Sequence, residues 1–378
     1  MMSYTNDYNE LKSVFNPGLK EIRIPGSSIR IINEDFTSDI DPENFLKKDD
    51  SAITENLTFS YPVFIPDNEK SNKVILLLHG LNERNWQKYL VWAYRLSAYT
   101  GSYVILFPIS FHINRSPLSW INPRLMQDVV RERSRSFNDV TMSSFANIAL
   151  SNRLTEEPMR FFNSGYQTAF DIVKLMNQIK NGKHAIVPEG SSVNIFAYSI
   201  GAFLSEILML GNPDQLFSSS RLFMFCGGSV FSSMYGTSKY IMDSAAYKRI
   251  YSFYMEDFEE EIKHRNPFSD FLRSTQIGIA FRAMIDLARF RQFREGMLSK
   301  LRGQIRSIAL KNDKVIPAGG IVSTLSPSGS GRSESVEIWD FPYNYSHENP
   351  FPVVAGPEQH VIDGCFERMI SGAALFLA

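Results

Sequence analysis

The stretch from Ser192 to Leu210 constrains the fold most, because an apolar strand is followed by a helix with no loop between them. Val193 to Phe196 carries the Val, Ile and Phe side chains that favour a buried strand, and Ala202 to Leu210 consists largely of residues that favour a helix. A chain that changes from strand to helix within two or three residues leaves its middle residue, Ser199, in a strained conformation. Such strain is tolerated mainly at functional sites.

Small residues flank Ser199 two positions away on either side, Ala197 before it and Gly201 after it. The pattern small-x-Ser-x-small is typical of a nucleophile elbow, although Gly is commoner than Ala at the first position. No other serine of the chain has Ala or Gly two residues before it and Gly two residues after it. The alternative interpretation is a serine that only caps the N-terminus of the following helix.

Other apolar runs alternate with helix-like segments. The predicted strands are Leu57–Ile65 (broken by Pro62), Lys73–Leu78, Tyr103–Pro108, Arg221–Gly228, Ile305–Leu310 and Ser335–Phe341. The predicted helices between and after them include Trp86–Tyr99, Pro158–Ile179 and Glu358–Leu377. A turn is predicted at 67–69 and a flexible loop at 326–333. The alternation predicts an α/β protein with a mostly parallel central sheet and helices on both faces.

Ligands of such sheets bind where the strands end at their carboxyl side. Asp313 and His347 both follow predicted strands, so the chain order is Ser199, Asp313, His347, each after a strand. A serine hydroxyl needs a base to take its proton, and the base needs an acid to orient it. Either residue alone could be an ordinary turn aspartate or an exposed loop histidine. Asp340 and His360 are the alternative candidates for the acid and the base.

Four short motifs carry these signals: His79-Gly80, Ala197–Gly201, Asn312–Pro317 and Ser346–Pro350. Through them the chain resembles the α/β-hydrolase superfamily over Leu57–Ala378, and we expect a bacterial branch of that superfamily. The resemblance implies that Ser199 attacks a carbonyl, that His347 acts as general base and then acid, and that Asp313 holds the imidazole. It also implies an oxyanion hole made by the backbone N–H groups of Leu81 and Ile200. The ring of His79 is expected to hold the oxyanion loop rather than to take part in catalysis.

The expected function is that of a serine hydrolase, carboxylesterase- or lipase-like, which cleaves an ester, amide or thioester bond of a small molecule through an acyl-Ser199 intermediate. Two alternatives stay open. The same three residues could transfer the acyl group to an acceptor other than water, or the fold could serve as a binding protein without catalysis.

The expected domain organisation is an N-terminal extension, 1–55, packed on an α/β-hydrolase domain, 56–378. Two insertions at about 109–160 and 229–302 would form a helical cap. Their aromatic residues could line a substrate pocket or form the insertions' own core; they are Phe111, Trp120, Phe137, Phe231, Tyr235, Phe253 and Tyr254. The cluster Arg131, Arg133 and Arg135 could attract an acidic substrate or lie on a solvated helix face.

Composition excludes other classes of function. A formal net charge of −1 argues against a general nucleic-acid binder, and two cysteines are too few for a disulfide framework or a cysteine-based zinc site. No metal-binding histidine pair or cofactor fingerprint is present, so neither a metal nor a cofactor is expected. Without a visible signal peptide or transmembrane run, the expected location is cytoplasmic. The oligomeric state is left open.

Overall fold

The computed structural model describes residues 3–40, 48–66, 70–264, 267–326 and 335–378. Within these ranges nine strands form one sheet. They are β1 (Glu21–Arg23), β2 (Arg30–Thr37), β3 (Thr58–Ile65), β4 (Lys73–Leu78), β5 (Tyr103–Leu106), β6 (Ser192–Tyr198), β7 (Leu222–Phe225), β8 (Ile305–Leu310) and β9 (Val336–Trp339). Their order is β1-β2-β3-β5-β4-β6-β7-β8-β9. Strands β4 to β9 are parallel to one another, and β1, β2 and β3 form an antiparallel edge.

The α-helices of the described residues are α1 (Tyr4–Val14), α2 (Lys48–Ser51), α3 (Thr54–Leu57), α4 (Gln87–Thr100), α5 (Pro123–Ser136), α6 (Ile148–Glu156), α7 (Met159–Lys180), α8 (Ile200–Gly211), α9 (Ser244–Ser252), α10 (Phe258–Glu261), α11 (Pro267–Ser274), α12 (Gln276–Ala283), α13 (Arg291–Lys300), α14 (Ala318–Leu325) and α15 (Pro357–Leu377). A π-helical turn, Phe253–Asp257, joins α9 to α10. None of the helices in the described ranges is long and apolar enough to cross a lipid bilayer.

Both faces of the sheet are buried, as the apolar runs predict. Alternate residues of β4 belong to opposite apolar cores, since Leu76 packs with the core on one face and Ile75 and Leu77 with the core on the other. Helices α1, α4 and α15 cover one face, and α7, α8 and the second insertion cover the other. The predicted α/β architecture with a mostly parallel sheet is confirmed, and it places the carboxyl ends of the parallel strands at one edge.

Some local predictions are wrong. β3 is a continuous strand through Pro62, which lies outside the part of β3 that pairs with β5, so its missing N–H breaks no bond on that side. β2 extends to Thr37, into a segment whose acidic composition predicts a loop. Helix α1 is not predicted from its polar sequence. The turn predicted at 67–69 lies outside the described residues, and so does the loop predicted at 326–333 apart from Ser326.

The N-terminal segment is part of the sheet as well as packed on it. All eight residues of β2 pair with β3. Helix α1 lies against α15, where Ser3 Oγ donates a hydrogen bond of 2.6 Å to Asp363 and Thr5 N–H donates one of 3.1 Å to the same carboxylate. The boundary between an extension and a core domain at residue 55 stays a prediction.

The two segments predicted to be insertions are joined to each other by a buried ion pair. Arg133 of α5 binds Asp243, which precedes α9, and it also donates to Asn152 Oδ1 (2.9 Å) and Thr155 Oγ1 (2.8 Å). Because this side chain is 3% exposed and all three of its nitrogens donate hydrogen bonds, Arg133 is not available to attract an acidic substrate. Ile277 of α12, which belongs to the second of these segments, also packs against Gly211 at the end of α8.

Candidate active site

Ser199 lies between β6 and α8 in the strained conformation that the sequence predicts. Its backbone angles are φ 57° and ψ −122°, a region that residues with a side chain rarely occupy. A Cβ at Gly201 would lie 2.6 Å from the carbonyl oxygen of Leu78, so this position admits only glycine. The Ser199 hydroxyl makes no capping bond to α8, which removes the interpretation of Ser199 as a simple helix cap.

The structure brings the three predicted site residues together, although Ser199 and His347 lie 148 residues apart in the chain. Ser199 Oγ is 2.7 Å from His347 Nε2, and His347 Nδ1 is 2.7 Å from Asp313 Oδ2. All three are buried, with 3 to 5% of their surface exposed. The three side chains form one chain of hydrogen bonds.

The orientation of Asp313 determines the tautomer of His347. Asp313 Oδ1 accepts hydrogen bonds from the backbone N–H groups of Val315 (2.8 Å) and Ile316 (2.9 Å), which leaves Oδ2 for the imidazole. A carboxylate only accepts, so His347 Nδ1 carries the proton and donates it. His347 Nε2 then carries a lone pair and can accept the Ser199 hydroxyl proton, as a general base must.

The alternative candidates lie elsewhere. Asp340 is at the surface, where it pairs with Lys311 Nζ (3.0 Å) and Asn312 Nδ2 (3.1 Å). His360 is exposed in the first turns of α15. Neither residue contacts His347 in the described part of the chain, so the geometry favours Asp313 and His347.

His79 supports the loop that follows β4. Its Nε2 accepts the backbone N–H of Ile109 at 2.9 Å, so Nδ1 must carry the proton and donate to the carbonyl oxygen of Gly80 at 2.8 Å. Complete burial lowers the pKa of His79 to about 3, against the smaller opposing effect of its bond to Gly80. His79 is therefore a neutral, structural side chain, as the sequence analysis predicts.

The N-terminus of α8 presents free donors beside Ser199. The first bond of this helix runs from the N–H of Ala202 to the carbonyl oxygen of Ser199 (3.0 Å), so the N–H of Ile200 precedes the helical bonds and is available to an anion. Leu81 lines the same cavities as Ser199. The assignment of these two N–H groups to an oxyanion hole stays a prediction.

A polar network that no sequence pattern indicates links the loop after β4 to the loop of His347. Tyr89 Oη accepts the N–H of Gly80 (2.9 Å) and donates to Glu83 Oε1 (2.7 Å). Lys88 pairs with Glu83 and donates to the carbonyl oxygen of Glu348 at 3.1 Å. These residues are separated from Glu348 by about 260 positions, and no local pattern marks such a contact.

Tyr198, next to the elbow, positions His347 in two ways. Its hydroxyl donates to the backbone carbonyl of His347, and the two rings stack with centroids 5.5 Å apart and an angle of 21° between their planes. Burial raises the pKa of Tyr198 well above its usual range, so the phenol stays a donor. No sequence pattern marks Tyr198 for this role, because the residue before the serine of an elbow is variable.

A cleft of about 500 Å³ opens on Ser199 and is bordered by both insertions. Ala146 belongs to the first insertion and Tyr240 to the second. Asn82 Nδ2 donates to the carbonyl oxygens of both, at 2.8 Å and 2.6 Å respectively. The loop after His79 is thus fastened to the two insertions that surround the cleft.

The aromatic residues of the insertions divide between the two expected roles. Two line voids near the site, Phe111 and Phe231. Others pack into an aromatic core of the second insertion, namely Phe253 and Tyr254 with Phe258 and Phe281. Phe137 and Tyr235 are exposed. In the described ranges no group of three or more His, Cys, Asp or Glu side chains is arranged to hold a metal ion.

Sheet, elbow and chain order define the class of protein. Ser199 lies at a strand-to-helix turn, and the aspartate and the histidine follow it in the chain. The sheet is mostly parallel and has helices on both faces. This combination defines the α/β-hydrolase fold. Residues 40–378 match the family DUF6051, a family of unknown function, and the chain belongs to it. None of the curated proteins matches this chain. The expected bacterial branch stays a prediction.

The solved structures that match this chain are similar to it in fold alone. Carboxyl esterase 2 from the mycorrhizal fungus Tuber melanosporum is 9% identical with a TM-score of 0.48, over 98% of this chain and 96% of that one. The peroxisomal α/β-hydrolase Lpx1 from Saccharomyces cerevisiae is 14% identical with a TM-score of 0.42, over 92% and 89%. A cold-adapted esterase from an Arctic intertidal metagenomic library is 10% identical with a TM-score of 0.40, over 94% and 99%.

Proposed function

We propose that the protein is a serine hydrolase that cleaves an ester, amide or thioester bond of a small molecule. The observation that carries the proposal is the continuous hydrogen-bond chain Ser199–His347–Asp313, with 2.7 Å at each link. Distances in this range are those at which a hydroxyl proton passes to a base. The strained backbone of Ser199 adds support, because such strain persists mainly where function requires it.

The mechanism follows from the roles of the three side chains. Ser199 Oγ attacks the substrate carbonyl carbon while its proton passes to His347 Nε2, and Asp313 stabilises the resulting imidazolium. The backbone N–H groups of Ile200 and Leu81 bind the oxyanion; losing one such donor typically costs about 100- to 1,000-fold in rate. His347 then gives its proton to the leaving group as the C–O, C–N or C–S bond breaks, and acyl-Ser199 remains.

Water completes the reaction. It attacks the acyl-Ser199 carbonyl as His347 Nε2 takes one of its protons, and Ser199 leaves with that proton while the carboxylic acid is released. An acceptor alcohol or amine in place of water would make the same site an acyltransferase. Analysis of the products in the presence of such acceptors separates the two reactions.

Fluorophosphonate labelling tests the proposal. These probes bond to an activated serine, so we expect one adduct, which peptide mass spectrometry places on Ser199, and no adduct in Ser199→Ala. Ser299→Ala changes an exposed serine of α13 and provides the matched control, which should be labelled like the wild type. A wild-type protein that stays unlabelled and hydrolyses no ester would favour the binding-protein alternative.

A further inference from the structure

A long apolar void lies between α7 and α8. On α7 it is lined by Phe162, Gly165, Tyr166 and Ala169, and on α8 by Ile200, Phe203, Leu204 and Ile207. In both helices the spacing is i, i+3, i+4, i+7, which places the four side chains on one face. The two helices therefore face each other across the void, and the small residues of α7 leave space between them.

One end of the void lies at the site. Leu81, Phe161 and Ile200 line both this void and a smaller one that includes Ser199. The other end lies towards Ile277, which packs against Gly211 at the C-terminus of α8. From Ile200 to Ile207 the helix rises about 10 Å. The void thus leads away from the site for the length of about eight carbon–carbon bonds.

Most polar groups in the lining are engaged elsewhere; the exception is Nε2 of His112, which has no hydrogen-bond partner among the described residues. Arg153 and Arg160 both bind the carboxylate of Asp50, at 2.9 Å and 2.7 Å. Ser164 Oγ donates to the carbonyl oxygen of Ser110 at 2.8 Å. A ligand in the void therefore meets almost only hydrocarbon, which favours an unbranched alkyl chain over a polar group.

We propose that the void binds the acyl chain of the substrate, and that the preferred acyl group is a linear chain of about eight carbons. This proposal rests on the proposed function, because the chain is attached to the carbonyl that Ser199 attacks. The carbonyl lies at the Ile200 end, and the leaving group lies in the polar cleft, whose walls include Glu83, Arg84 and Asn85.

Gly165 is the position that determines how far a chain can enter. A Cβ added there meets no atom within 4 Å, so a larger side chain at this position grows into the void without displacing the helix. The smaller void beside Ser199 is the rival site for the acyl chain. Gly236 lines it, and a Cβ there would lie 3.2 Å from Cε of Met242, the mobile end of a flexible side chain.

The test compares kcat/KM for p-nitrophenyl esters from acetate to dodecanoate. For the wild type we expect kcat/KM to rise with chain length up to about octanoate. In Gly165→Leu the ratio of octanoate to acetate falls at least tenfold, since each methylene that loses its place costs about fourfold. Gly165→Ala gives a smaller fall in the same direction, and alanine favours the helix over glycine. Gly364→Leu, at an exposed and open position inside α15, is the matched control and leaves the ratio unchanged.

Three results would overturn the proposal. The first is a wild type that prefers acetate. The second is an unchanged octanoate-to-acetate ratio in Gly165→Leu, with folding verified by thermal melting. The third is a ratio that falls only in Gly236→Leu, which would place the acyl chain in the smaller void. In each of these, esters are still hydrolysed and Ser199 is still labelled, so the proposed function survives. An unlabelled Ser199 together with no ester hydrolysis removes both proposals.

Discussion

Asp313 directs one oxygen, Oδ2, to His347 because two backbone N–H groups hold the other, Oδ1. This arrangement makes the site sensitive to a change that keeps the shape of the side chain. An asparagine would keep its amide oxygen on the N–H groups of Val315 and Ile316 and turn its NH₂ towards His347. The imidazole would then have to accept at Nδ1 and carry its proton at Nε2, the wrong tautomer for a base.

Asp313→Asn should therefore lower kcat by about 10³- to 10⁴-fold, the loss expected when the histidine is held in the wrong tautomer. The measurement is the steady-state rate on a p-nitrophenyl ester. Asp340→Asn makes the same change at the exposed alternative and should leave kcat within about twofold. A loss of less than tenfold in Asp313→Asn would contradict the role assigned to this carboxylate.

Sequence alone identified Ser199, Asp313 and His347 as candidates because each follows a predicted strand and is of a type suited to its role. It could not predict the network of Glu83, Lys88 and Tyr89, because these side chains find their partner, the Glu348 carbonyl, only after the chain has folded. Local patterns report on neighbours in sequence, whereas this contact joins Lys88, at the start of α4, to a loop 260 residues further along the chain.

At the scale of elements, α8 is apolar and wholly enclosed, yet it carries a carboxyl group. Glu206 is 1% exposed, and neither of its oxygens has a hydrogen-bond partner among the described residues. Burial raises the pKa of Glu206 well above its usual range, and Arg294 opposes the shift only in part. The folded protein therefore favours the protonated form of Glu206 more strongly than the unfolded chain does.

The sign of the pH dependence follows. The unfolded pKa of this carboxyl is about 4.5, and folding raises it. Below pH 4.5 Glu206 therefore makes its full contribution to stability, and this contribution is lost as the pH rises through the pKa of the folded protein. Glu206→Gln removes this titration, so its stability relative to the wild type should increase from pH 4.5 to pH 8, by at most about 1.4 kcal/mol per pH unit. Urea unfolding at several pH values measures it. A difference between the two proteins that does not change with pH would show that Glu206 does not titrate in this way.

Elements with a strong apolar pattern were predicted well, as β4 and α8 illustrate. The failures have physical causes. The long β2 has an acidic second half that is stabilised by pairing with β3, and α1 has a polar sequence whose few apolar side chains, Tyr4 and Leu11, become buried only against the other helices. In both cases tertiary contact outweighs local propensity.

At the scale of the whole molecule, one edge of the sheet collects three loops that are far apart in the chain. Alternation of apolar strands and helices predicts such a sheet, but it does not predict the strand order, which places β6, β7, β8 and β9 side by side. That order brings Ser199, Asp313 and His347 to the same edge. The two insertions, joined through Arg133 and Asp243, then border the cleft.

The measurement that tests this convergence most directly is the second-order rate of fluorophosphonate labelling of Ser199 in His347→Gln and His360→Gln. If His347 takes the serine proton, its loss should slow labelling by about 1,000-fold or more, because an unassisted hydroxyl is a poor nucleophile. His360→Gln, the same change at an exposed position, should label at the wild-type rate. Labelling of His347→Gln at the wild-type rate would contradict the account.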